Sequence, residues 1–146
     1  MKQTILIEAI SLLFVILFLY TGISKMIEYP LFREVISQSV FLQPFSSWIA
    51  RLIPITEIII SILLFIPFSR LHGLYAAFSL MLVFTGYTIY ILNFSPHLPC
   101  GCGGILESMT WPMHLIFNII STIIALIGIY LKRNQRKKMN MPIHQN

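Results

Sequence analysis

Residues 4–24 read TILIEAISLLFVILFLYTGIS, an apolar run of 21 residues interrupted by one carboxylate, Glu8. A helix of that length rises about 1.5 Å per residue, roughly the 30 Å of a bilayer's hydrocarbon core. Three more runs follow: LIPITEIIISILLFIPF at 52–68, LYAAFSLMLVFTGYTIYIL at 74–92 and WPMHLIFNIISTIIALIGIYL at 111–131. Lipid offers the backbone no hydrogen bonds, so each run is expected to cross as an α-helix. The first run is read as a retained anchor rather than a signal peptide. Its apolar stretch is long, Glu8 breaks its start and no small-x-small cleavage site follows it.

Composition supports the same reading. Of 146 residues, 57% are hydrophobic and 10% charged, with a mean hydropathy of +0.83. A soluble domain carries about 25% charged residues, so this chain has too little polar surface to face water all round. The net charge of +5 does not point to nucleic acid. Half of the ten basic residues lie in KRNQRKK at 132–138, outside any folded patch. The expectation is an all-α integral membrane four-helix bundle spanning residues 1–131, with a basic tail at 132–146.

The basic residues also orient the bundle. Lys2, Arg70, Lys132, Arg133, Arg136, Lys137 and Lys138 fall on the side of the termini, against Lys25, Arg33 and Arg51 on the other. The positive-inside rule then puts both termini in the cytoplasm, and the 1–2 and 3–4 loops outside. For a bacterial inner membrane, outside means the periplasm, where disulfides persist. The 1–2 loop contains YPLFREVISQSVFLQPF, with Leu31, Phe32, Val35, Ile36 and Val40 near helical spacing. Pro30 is placed to start that helix and Pro44 to stop it, giving an amphipathic surface helix that caps the bundle or roofs a site. The 2–3 connection, SRLHG, reads as a tight turn with Gly73 near its end and a solvated His72.

Ionisable groups within membrane spans are expensive and therefore informative. Glu57 lies five residues past Leu52, about 8 Å along the expected second helix. Lys25 closes the first span, and His114 and Asn118, four apart, share one face of the last. With Arg51 and His97 they gather at the outer end of the bundle. A structural use is open for each: Glu57 pairs with Lys25 or Arg51 to fix packing, and His114 hydrogen-bonds at the interface. Thr110 is the expected N-cap of the last helix, with Pro112 in its first turn.

The two cysteines stand in PHLPCGCGG at 96–104. A Cys100–Cys102 bridge needs a bent backbone, which Gly101, Gly103 and Gly104 permit. So short a ring removes little entropy from the unfolded chain and makes a poor staple, whereas strained exposed disulfides are the exchangeable ones. Thiol-disulfide exchange is therefore the preferred use, with His97, His114, Glu57, Lys25 and Asn118 as tuning groups. Two other uses stay open: zinc or copper(I) held by both thiols with His97 and His114, and inert or structural thiols.

Four short spans, Lys25 closing the first, LIPITE (Leu52–Glu57) opening the second, and PCGCGG followed by Trp111, His114, Leu115, Phe117 and Asn118 together resemble the MauE branch of the DoxX-like membrane proteins. The resemblance covers the chain up to its basic tail, and the Cys-Gly-Cys-Gly segment is its most specific part. It implies a redox-associated protein of the bacterial inner membrane, accessory to methylamine utilisation and to the maturation of disulfide-rich periplasmic proteins. It further implies that Cys100 and Cys102 exchange disulfides with a periplasmic thioredoxin-like partner. Relatives linked to quinone reduction make quinone the cofactor to consider; the 13% aromatic content suits a ring-lined site or a lipid interface equally. The rival reading is a non-catalytic assembly or chaperone subunit that docks a partner through Leu31, Phe32 and Ile36. No second cysteine pair is present for an internal electron relay, and the oligomeric state is left open.

Overall fold

The computed structural model describes residues 1–94 and 110–141. Four of its helices are long and apolar enough to cross a membrane. They are α1 (Lys2–Ile27), α3 (Ser46–Phe65), α4 (Arg70–Phe94) and α5 (Trp111–Asn140); the shorter α2 (Tyr29–Ser37) lies between the first two. A 3-10 turn, Gln43–Phe45, leads into α3. The all-α four-helix architecture with an added surface helix is thus the one expected from sequence.

Helix α1 packs most extensively on α3 and α4 on α5; α3–α4 and α1–α5 contacts close the ring. Inside it, Phe14 and Phe18 stack with centroids 5.7 Å apart, joined by Ile60, Leu64, Leu74 and Met81. The outward faces are also apolar: Leu12, Ile16, Ile59, Ile62, Val83 and Ile120 are all more than half exposed. In water, so large an apolar surface would drive aggregation, whereas acyl chains match it. Polar side chains within the spans bond locally, as when the Ser11 hydroxyl donates to the Ile7 carbonyl (2.7 Å) and Ser61 to Glu57 O (2.9 Å).

Several boundaries differ from the sequence reading for identifiable reasons. Helix α3 begins at Ser46, upstream of the apolar run, because Pro54 sits inside the helix instead of near its start. It ends at Phe65, ahead of Pro67. The turn into α4 is correspondingly earlier than SRLHG. Ser69 Oγ donates to Leu63 O (3.0 Å) and Arg70 Nε to Leu64 O (3.2 Å), satisfying carbonyls at the end of α3. Gly73 is therefore a buried residue in the first turn of α4, while His72 is exposed. Helix α2 stops at Ser37, so Pro44 stops no helix; it sits in the 3-10 turn. At its far end α5 continues beyond Leu131 through the basic residues to Asn140, since Lys, Arg, Gln and Met all favour helix. Gln135 Nε2 donates to Thr4 Oγ1 (3.0 Å), tying this extension to the start of α1.

Two glycines of α4 are expected to respond oppositely to alanine. A Cβ on Gly73 would stand 2.9 Å from the Leu64 backbone nitrogen, which cannot move aside. Gly73→Ala should destabilise the protein by about 1–3 kcal/mol through overpacking. A Cβ on Gly86 meets nothing within 4 Å, and Gly86→Ala should stabilise by up to about 1 kcal/mol through helix propensity. Thermal aggregation followed by fluorescence-detected size exclusion separates the two; a Gly73→Ala melt equal to wild type contradicts the close α3–α4 packing.

Candidate functional site

A cavity of about 410 Å³ opens at the α2 end of the bundle, walled by α1, α2, α3, α4 and the first turns of α5. Each spanning helix supplies wall residues four apart, hence on one face: Thr21 and Lys25, Ile53 and Glu57, Phe84 and Thr88, His114 and Asn118. Helix α2 roofs it with Phe32 and Ile36, while Leu31 on the same helix points outward. The amphipathic spacing of the 1–2 loop thus packs a side of α2 onto the site.

An ion pair stands at the polar wall. Lys25 Nζ donates to Glu57 Oε1 at 2.6 Å, with the side chains 12% and 1% exposed. Nζ also lies 4.8 Å from the Phe84 ring centroid and 5.5 Å from that of Phe32. A carboxylate and two ring faces therefore surround the ammonium group, compensating for water it has lost. Close helix approach makes the pair reachable. A Cβ on Gly22, one turn before Lys25, would be 3.2 Å from Pro54 O and 3.4 Å from Glu57 Cβ, so glycine lets α1 settle against α3 here. Arg51, the other cation considered for Glu57, is exposed, its guanidinium 5.7 Å from the Tyr29 ring.

Glu57 is deeper along its helix than the sequence spacing suggested. Counted from Ser46 it is eleven residues into α3, about 16 Å along the axis. Its second oxygen, Oε2, is buried and accepts no hydrogen bond among the described residues. The Thr21 hydroxyl donates instead to the Leu17 carbonyl at 2.9 Å. Opposite, buried Asn118 donates through Nδ2 to Thr88 Oγ1 (3.3 Å), and Thr88 donates to Phe84 O (2.8 Å). His114 is half-buried against Trp111, ring centroids 6.2 Å apart and nearly perpendicular.

Four of the residues singled out from sequence, Lys25, Glu57, His114 and Asn118, therefore line one cavity. His97, Cys100, Gly101, Cys102, Gly103 and Gly104 lie outside the described residues. Sequence reading gave no prominence to Thr21 and Thr88, which complete the polar part of the wall, or to Phe84, whose ring faces Lys25. For the two threonines the available signal was a polar residue within a span, four positions from another wall residue. Thr110 occupies the N-cap of α5 in extended backbone, but its side chain makes no cap bond; its carbonyl accepts the His114 N–H at 2.9 Å. Among the described residues, no three His, Cys, Asp or Glu side chains converge as a metal site.

Chemically, the wall combines a shielded cation, a carboxylate with one oxygen unpartnered among the described residues, an imidazole and an amide. They face an otherwise carbon-lined space, the usual make-up of a small-molecule site. Residues 3–131 match the family described as Methylamine utilisation protein MauE. No curated protein and no solved structure matches the chain.

Proposed function

The chain belongs to the MauE family, in the DoxX-like redox-associated branch, and from that premise we propose that it is an inner-membrane thiol-disulfide exchange protein. Cys100 and Cys102 form the reactive pair, exchanging with a periplasmic thioredoxin-like partner in the maturation of periplasmic proteins. The observation carrying this reading is that the family match runs through the Cys-Gly-Cys segment and all four spanning helices. In exchange, a thiolate of one partner attacks the other's disulfide, forming a mixed disulfide and releasing one thiolate. The second cysteine of the pair then resolves it, so two electrons and two protons pass between the partners.

The segment carrying both cysteines joins Phe94 of α4 to Thr110 at the start of α5, whose first turns bring Trp111 and His114 to the cavity. Cys102 is eight residues from Thr110, within a chain reach of roughly 28 Å. His114 and the Lys25–Glu57 pair are thus the described groups available to steady a thiolate or receive its proton. The seven-to-three distribution of basic residues supports a periplasmic position for the pair and cytoplasmic termini.

Thiol trapping on intact cells tests this reading directly. A membrane-impermeant maleimide should label the protein only after mild reduction, as expected of an oxidised pair facing outward. Labelling without reductant would instead assign a reduced resting state, hence a reductant or metal ligand. Labelling only after lysis would place the cysteines on the cytoplasmic side and overturn the proposal.

A further inference from the structure

We infer that the end of the bundle where α1 starts and α5 finishes holds the phosphate of an anionic phospholipid, bound between the start of α4 and the last turns of α5. An open pocket of about 520 Å³ lies there, lined by Leu71 of α4 and by Arg133, Arg136, Lys137, Asn140 and Met141. Positions 133, 136, 137 and 140 are the i, i+3, i+4 and i+7 places of a helix, so these side chains share one face of α5. Another face is tied down. Lys132 Nζ donates to Gln135 Oε1 (3.2 Å), and Gln135 Nε2 donates to Thr4 Oγ1 on α1 (3.0 Å). That anchorage fixes how α5 is turned and keeps the two arginines on the side of α4.

The three cations lack an anion of their own. Among the described residues, Arg133, Arg136 and Lys137 make no ion pair, the one salt bridge being Lys25–Glu57 at the other end. Among the same residues, Glu8 is the single carboxylate at this end, and it acts on Lys132, which Arg70 and Arg136 repel. The partial charges of the two helix ends that meet here, positive at the start of α4 and negative at the finish of α5, oppose each other, so the side chains set the sign. A phosphate relieves the crowding, and guanidinium groups grip its oxygens through paired N–H donors. Height selects the lipid as its source. Trp111 to Leu131 cover about 31 Å along α5, the thickness of the hydrocarbon core. Arg133, Arg136 and Lys137 then stand roughly 3–9 Å beyond it, inside the headgroup layer where basic pockets between helices take lipid phosphates. Leu71 gives the pocket an apolar wall, and Phe68 in the adjoining turn is 98% exposed. A lipid phosphate held at this depth by its acyl chains has a high effective concentration, which a phosphate in water does not. The choline of a zwitterionic lipid would add a further positive charge, so a headgroup of net negative charge is preferred.

The test uses the full chain in dodecyl maltoside micelles at physiological ionic strength, with dioctanoyl phosphatidylglycerol and dioctanoyl phosphatidylcholine as probes. Equilibrium binding is referred to protein-free micelles. Phosphatidylglycerol is expected to bind saturably, at least about tenfold more tightly than phosphatidylcholine, since each basic residue near an anionic headgroup contributes about a factor of five. Arg133→Gln combined with Arg136→Gln should erase most of that preference. Lys2→Gln combined with Lys138→Gln removes equal charge at the same end but outside the pocket, and should leave most of it. Equal loss in the two double variants would reduce the effect to the general charge of this end and overturn the pocket assignment. Equal binding of the two lipids by the wild-type chain, or no saturable binding, overturns the inference whether or not a variant folds. Glycerol 3-phosphate supplies the last arm: displacement of phosphatidylglycerol by an equal concentration of it would assign the site to soluble phosphate esters and overturn the lipid as occupant. The pocket lies at the opposite ends of α4 and α5 from the cysteine segment. Serine at both cysteines should therefore leave lipid binding unchanged, so this result and that for thiol exchange stand apart.

Discussion

Serine at either Cys100 or Cys102 is expected to abolish disulfide exchange completely while leaving membrane insertion and protein level unchanged. Serine replaces sulfur by oxygen at nearly the same volume, so packing is little affected, but an alkoxide is not formed at neutral pH and cannot attack a disulfide. The two single variants should differ in one informative way. When the attacking cysteine remains, attack on an oxidised partner still proceeds and stops at the mixed disulfide, because no second thiol resolves it. When the attacking cysteine is lost, no mixed disulfide forms. Acid-quenched, alkylated membranes run on non-reducing gels therefore identify which cysteine attacks, an assignment their order in the chain does not provide.

Full complementation by the doubly substituted variant would falsify the exchange reading and favour the assembly-subunit alternative. The structure redirects the test of that alternative. Phe32 and Ile36 are buried at the cavity roof, so polar substitutions there would damage the site whatever a partner does. In the stretch that follows α2 the most exposed apolar side chains are Val40 (87%), Phe41 (80%) and Trp48 (70%). Substituting those three discriminates docking from cavity chemistry.

Lys25→Met should be among the most destabilising single substitutions in the chain. It keeps the apolar stem near Phe32 and Phe84 but leaves Glu57, 1% exposed, without its cation. Removing one member of a buried pair typically costs about 3–5 kcal/mol. Adding Glu57→Gln to Lys25→Met should restore most of that loss, because the remaining groups are neutral and close in shape. The measurement is a thermal melt of wild type, both single variants and the double variant, analysed as a double-mutant cycle. A coupling near zero would mean that Lys25 contributes through ring contacts alone.

Much of the architecture is legible in the chain because membrane spanning depends on length and apolarity, both local properties. Four runs of 17 to 21 residues were enough to indicate four crossing helices. The residues of the site were partly legible for a related reason. A carboxylate at 57, a lysine at 25 and the His114–Asn118 pair are conspicuous in apolar surroundings, since lipid penalises them wherever they lie. The Cys-Gly-Cys motif is equally local, and its proposed chemistry follows from two thiols one residue apart.

Partner choice required the folded chain. Lys25 and Arg51 were equivalent candidates for Glu57 by spacing. Gly22 allows α1 to approach Pro54 and Glu57 closely, which selects Lys25. Pro54 inside α3, instead of at its start, carries Glu57 further along the helix than its distance from Leu52 implied. The roles of Phe32, Phe84 and Thr88 emerge only when α2 and α4 meet around the lysine. Apolar and hydroxyl side chains serve equally well at lipid, core or cavity positions, so their local sequence does not distinguish these uses. An isolated charge in a membrane announces itself; the neutral groups that shelter it are chosen by packing.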